Sequence, residues 1–214
     1  MNVKIANALG SYFEILHNIN KNFIVLCGMD YYQPMYDKKG TLFEIAKDLF
    51  RILPYSIDVK SNKLILSNRN GLLEFSNEIV FLRDDYDIIL NNNYNMLDNL
   101  RKIRNKCEHK QHAISLEYLD SGTGFIFCFK FNVFNDKGDY EEVFVDYSSL
   151  YRIIQSINIM FTKIQWEVYN FANSTGKLDY PYYNKLFRFE FREFNRIFES
   201  DIIRIIGRAM LDFQ

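Results

Sequence analysis

The sequence predicts a mainly α-helical domain with a small antiparallel β-meander inserted late in the chain, and three observations carry that expectation. Apolar residues recur every three or four positions through most of the 214 residues, the period of an amphipathic helix. Only between about 113 and 146 does the period shorten to two, the mark of a strand with one buried face. A composition of 48% hydrophobic residues with three prolines and nine glycines belongs to a chain that buries a core, not to a disordered or collagen-like one. No uninterrupted apolar run approaches the roughly 18 residues that a membrane helix requires, so a soluble protein with no membrane partner is expected.

The elements follow in order. From Val3 to about Cys27, Ile5, Leu9, Tyr12, Phe13, Leu16, Ile19 and Phe23 lie at helical spacing, which predicts a long first helix and leaves no continuous apolar core for a secretory signal. Gly28 and YYQPMYDKKG break the pattern. Thr41 with Glu44 three residues on reads as a capping box, which starts a second helix that runs through Ile52 and ends at Pro54. Residues 55–70 hold a short alternating run, Lys63 to Leu66, that is compatible with a loop, a brief strand or an irregular helix. Leu72, Phe75, Ile79, Leu82, Tyr86 and Ile89 predict a third helix over 71–90, which Asn91, Asn92 and Asn93 interrupt. A fourth begins near Tyr94, with Leu97, Leu100, Ile103 and Cys107 as its buried stripe.

Beyond His112, three alternating runs separated by SGTG and NDKG predict the three-stranded meander. Ser148 or Ser149 then caps a strong helix with apolar positions from Leu150 to Phe171, NSTGKLDYP forms a loop, and a last helix is expected over about 182–211. Its Arg188, Arg192 and Arg196 are matched by Glu190, Glu193 and Glu199, the pattern of a salt-bridged surface. With no linker or repeat in view, 1–214 reads as one domain.

Charge and cysteine usage narrow the function. Lys and Arg number 26 against 27 Asp and Glu, so any nucleic-acid contact is local and not the work of a global positive field. Cys27, Cys107 and Cys128 are odd in number and lack the paired spacing of a zinc site, which argues against a disulfide framework, against a metal or other cofactor, and for a reducing, cytoplasmic setting. The aromatic content of 17% is read as core.

One stretch departs from this evenness. LDNLRKIRNKCEHKQH gathers Arg101, Lys102, Arg104, Lys106, His109, Lys110 and His112 within twelve residues. Cations bind phosphate oxygens, a planar guanidinium binds them bidentately, and imidazole transfers protons near neutral pH, so the cluster contains what phosphodiester chemistry uses.

The string Arg104-Asn105-Lys106-Cys107-Glu108-His109 resembles the R-x4-6-H signature of the HEPN superfamily, including the polar residue that follows the Arg. The resemblance covers the helical two thirds of the chain; the sheet at 113–146 departs from the minimal family pattern. It implies a HEPN-like helical bundle, a homodimer that brings two motifs together, and a metal-independent endoribonuclease of toxin–antitoxin or phage-defence type, with an antitoxin protein as a further partner. In that reading Arg104, Asn105 and His109 are catalytic and RNA is the substrate. Arg101, Lys102, Lys106, Lys110 and His112 flank the motif as substrate-binding groups. Five helical residues rotate by about 140° net, so Arg104 and His109 need long side chains, a frayed helix end or a dimer partner to converge.

Each residue also has a plainer role. Arg104 can pair with Glu108 at i,i+4, His109 can interact with a helix C-terminus, and Cys107 can be an inert buried thiol. His17 reads as a boundary residue and His112 as a loop histidine. The competing function is a non-catalytic HEPN-like module that binds a protein partner or nucleotide, and a blander one is an interaction protein in which the motif is coincidental.

Overall fold

The computed structural model describes residues 3–28, 35–67, 71–107, 114–120, 125–134 and 139–175. These residues are mainly helical: α1 spans Val3–Gly28, α2 Met35–Ile52, α3 Leu82–Asn92, α4 Tyr94–Cys107 and α5 Tyr147–Thr175. Two small antiparallel sheets accompany them, a hairpin of β1 (Tyr55–Asp58) with β2 (Lys63–Leu66) and a meander of β3 (Ile114–Asp120), β4 (Phe125–Phe134) and β5 (Tyr140–Asp146). The last expected helix lies outside the described residues.

The stripes read from the sequence are the buried faces. Leu9, Leu16, Ile19 and Phe23 of α1 meet Leu42, Ile45 and Leu49 of α2, and Ile153, Ile157, Phe161 and Ile164 of α5 close the same core. Inside that hydrocarbon, Asn20 and Asn158 exchange side-chain hydrogen bonds of 2.9 and 3.1 Å between α1 and α5. The two amides satisfy each other, so removing one strands the other's bonding group. Asn20→Leu or Asn158→Leu alone is expected to cost about 1–3 kcal/mol, and the double variant less than the two costs combined, in urea-unfolding measurements. Additive losses would show that the two amides are not coupled.

The third helix expected over 71–90 is corrected. A 3-10 turn occupies Gly71–Phe75, turns follow, and α3 starts only at Leu82. All six apolar positions are buried as their spacing implied, but the backbone closes i,i+3 bonds from Ser76 to Leu73, Glu78 to Phe75 and Leu82 to Ile79. At the start of the segment Gly71 has a φ of +45°, which no α-helix contains, and a Cβ there would lie 2.7 Å from the Pro54 ring, so the chain does not enter 71 as a helix.

The second helix is also longer than expected. Residues 35–40 are already helical, so Thr41 lies inside α2 and does not cap it. Exposed Gly40 has open space around it, and a glycine in a helix interior costs only about 1 kcal/mol.

Residues 55–66, where the sequence left three conformations open, form the β1–β2 hairpin, with Tyr55 opposite Leu66 and Asp58 opposite Lys63. Asp58 organises its turn by accepting hydrogen bonds from the Lys60 amide and the Ser61 hydroxyl. Those bonds favour the carboxylate and hold its pKa below the ordinary value.

Asn93 separates α3 from α4: its side chain donates to the Ile89 carbonyl at 2.9 Å, while its own carbonyl accepts the Leu97 amide. The meander has the expected order, with Phe131 opposite Val143 and Cys128 opposite Asp146. Its Phe131, Val143 and Val145 are buried, and Asn99 of α4 donates to the Phe144 carbonyl at 2.8 Å. The cap of α5 is corrected as well. Asp146, the last residue of β5, accepts the Ser149 amide at 2.7 Å, which makes Asp146 the capping group in place of a serine.

Candidate functional site

Helix α4 carries the part of the basic segment that the structure describes. Leu97, Leu100 and Ile103 are buried and fix which way the helix faces, so Arg101, Lys102 and Arg104 fall on its half-buried flanks and Asn105 on the exposed side. His109, Lys110 and His112 lie outside the described residues, as do the side chains of Lys106 and Cys107 and the Glu108 partner considered for Arg104.

Arg104 is held from two sides. Its guanidinium carbon sits 3.4 Å from the centroid of the Phe50 ring on α2, a cation–π stack worth about 0.5–2 kcal/mol depending on desolvation. Its Nε and one terminal nitrogen both donate to Asn105 Oδ1, at 2.9 and 2.5 Å. Phe50 in turn packs edge-on against Tyr55, 5.3 Å between centroids. Burial pushes the Tyr55 phenol pKa far above its ordinary value, partly countered by the charges of Arg104 and Arg101. The neutral hydroxyl donates to the Leu97 carbonyl, tying the hairpin to α4. A guanidinium so fixed loses little conformational freedom when it binds an anion.

Arg101 and Lys102, the neighbouring cations whose side chains the structure describes, are paired. Asp98 accepts Arg101 at 2.8 Å and Lys102 at 3.1 Å, and Lys102 also reaches Glu141 of β5 at 2.6 Å. Burial alone would lower the Lys102 pKa, but hydrogen bonds to Glu141 and Asp98 outweigh it and hold the ammonium above its ordinary value. Lys102 therefore fastens the meander to α4 as much as it contributes positive field. The Asp98 contacts follow from helical i,i+3 and i,i+4 spacing and were readable in the sequence. Phe50 and Glu141 come from distant elements, and no local signal marks either.

Among the described residues no helix is long and apolar enough to cross a membrane, and no group of three or more His, Cys, Asp or Glu is placed to hold a metal ion. His17 is exposed on α1, and Cys128 is buried in β4. Comparison with family models, curated proteins and solved structures finds no match to this chain.

Proposed function

We propose that the protein is a metal-independent endoribonuclease of the HEPN type, active as a cytoplasmic homodimer in a toxin–antitoxin or phage-defence role. The observation that carries this reading is the fixed Arg104 guanidinium, stacked on Phe50 and doubly bonded to Asn105 within the R-N-x-x-x-H string. Arg104 binds the scissile phosphate and stabilises the charge that grows on its non-bridging oxygens. The ribose 2'-oxygen attacks phosphorus, its proton leaves to a base, and the 5'-oxygen departs with a proton, leaving a 2',3'-cyclic phosphate. His109 serves one of those two proton transfers. Asn105 acts through Arg104, whose orientation it sets.

A second reading is favoured by the charge balance. The formal charge is -1, and Arg101 and Lys102 are compensated by Asp98 and Glu141, which suits a non-catalytic module that binds a protein partner or nucleotide. The deciding experiment is RNA cleavage in chelator with analysis of product ends. Cyclic-phosphate ends formed without metal support the nuclease; no cleavage under any metal-free condition, with capture of a protein partner, supports the module.

A further inference from the structure

A cavity of about 300 Å³ lies where α1, the end of α2 and the 3-10 turn at Gly71 meet, lined by Ser11, Tyr12, Ile15, Phe50, Arg51 and Pro54, with Gly71 at its back. It is at the lower end of the range of small-molecule sites. Two aromatic rings, Phe50 and Tyr12, face the space, and Ser11 and Arg51 stand exposed at its rim.

The lining is mixed, with Ile15, Phe50 and Pro54 beside Ser11 and Tyr12, and the positive charge of Arg51 is compensated. Arg51 is paired with Asp48 at 3.1 Å. The Tyr12 phenol, raised first by burial and then by the nearby Glu74 carboxylate, stays protonated and able to donate. Donors, acceptors and aromatic walls with little net charge match a neutral heteroaromatic ring better than a phosphate. Phe50 is the link, since the ring that lines this cavity is also the ring on which the Arg104 guanidinium stacks. The geometry points to this cavity as a nucleobase subsite, in which the base of a nucleotide bound by its phosphate at Arg104 inserts between Phe50 and Tyr12. The inference rests on the phosphate-binding role proposed for Arg104.

The test titrates uridine 3'-monophosphate, adenosine 3'-monophosphate and inorganic phosphate into the full chain, followed by NMR chemical shifts. At least one nucleotide is expected to bind about tenfold more tightly than phosphate, the scale of base stacking on an aromatic ring. Ser11→Trp places an indole at the rim and is expected to erase that advantage while leaving phosphate binding intact. Ser11→Phe, a smaller plug, repeats the measurement should the indole disturb α1. Equal affinities for nucleotide and phosphate in the wild type, or an advantage that survives both plugs, overturns the subsite. Arg104→Ala separates the two assignments. If it weakens phosphate and nucleotide alike while the plugs change nothing, Arg104 keeps its role and the base pocket falls. If the plugs act and Arg104→Ala does not, the cavity still takes a base, but the phosphate role falls, and with it the placement of that base beside Arg104.

Discussion

Arg104→Ala and His109→Ala are each expected to lower RNA cleavage by about two to four orders of magnitude while leaving fold and oligomeric state intact, the range for losing a charge-stabilising donor or a proton-transfer group. Arg104 sits on the half-buried flank of α4 and outside the hydrophobic core, and truncation forfeits the Phe50 stack and the Asn105 bonds without emptying a core site. Lysine is no substitute, because it keeps the charge but loses the planar fork and the stacking face, so Arg104→Lys is expected to behave nearly as the alanine variant does. Asn105→Ala should fall between wild type and Arg104→Ala, because the guanidinium keeps Phe50 beneath it. Mixing Arg104→Ala with His109→Ala chains asks where the two groups meet. If guanidinium and imidazole come from opposite protomers, the mixed dimer regains one intact cleft; if they come from one protomer, no activity returns. Cleavage retained in either alanine variant rejects the assigned roles.

The sequence disclosed the fold where burial alone decides it and misled where backbone geometry does. The apolar stripes of α1, α4 and α5 and the alternation of the meander were legible because a buried face imposes its period on the residues. Leu72 to Ile89 kept that pattern but only its second half is helix: Leu82, Tyr86 and Ile89 lie in α3, while Leu72 and Phe75 are buried by a 3-10 turn that Gly71 enters with positive φ. Capping was misassigned for a similar reason. Ser148 and Ser149 are favourable caps, but β5 runs straight into α5 and puts Asp146 at the junction. At the candidate site, the RNKCEH string and its helix were visible in one dimension. The Phe50 platform lies 54 residues earlier, and Lys102–Glu141 bridges a helix and a strand, contacts that only the packing of α2, α4 and β5 creates.

Tyr86→Ala is expected to destabilise the protein by about 3–5 kcal/mol, the cost of emptying a fully buried aromatic site. Tyr86 has no exposed surface and packs α3 into the core. Its hydroxyl donates to the Ile52 carbonyl at the end of α2, so α3 and α2 are joined by one bond inside hydrocarbon. Tyr86→Phe keeps the ring and removes the hydroxyl with its hydrogen bonds to the backbone, at about 1–3 kcal/mol. Burial, with a smaller push from Tyr12, raises the Tyr86 phenol well above its ordinary pKa of 10.0, and Tyr55 is raised by burial too. The sign follows from proton counting. Above about pH 10 the unfolded chain releases these protons while the folded chain keeps them, so stability is full below that pH and falls as pH rises through it, by about 1.4 kcal/mol per pH unit for each tyrosine until the folded phenol ionises. Urea unfolding from pH 8 to 11 should show that alkaline loss in the wild type and a shallower slope in Tyr86→Phe, which removes one of the raised phenols. A slope identical in both proteins would mean that the Tyr86 hydroxyl is not held neutral by its burial.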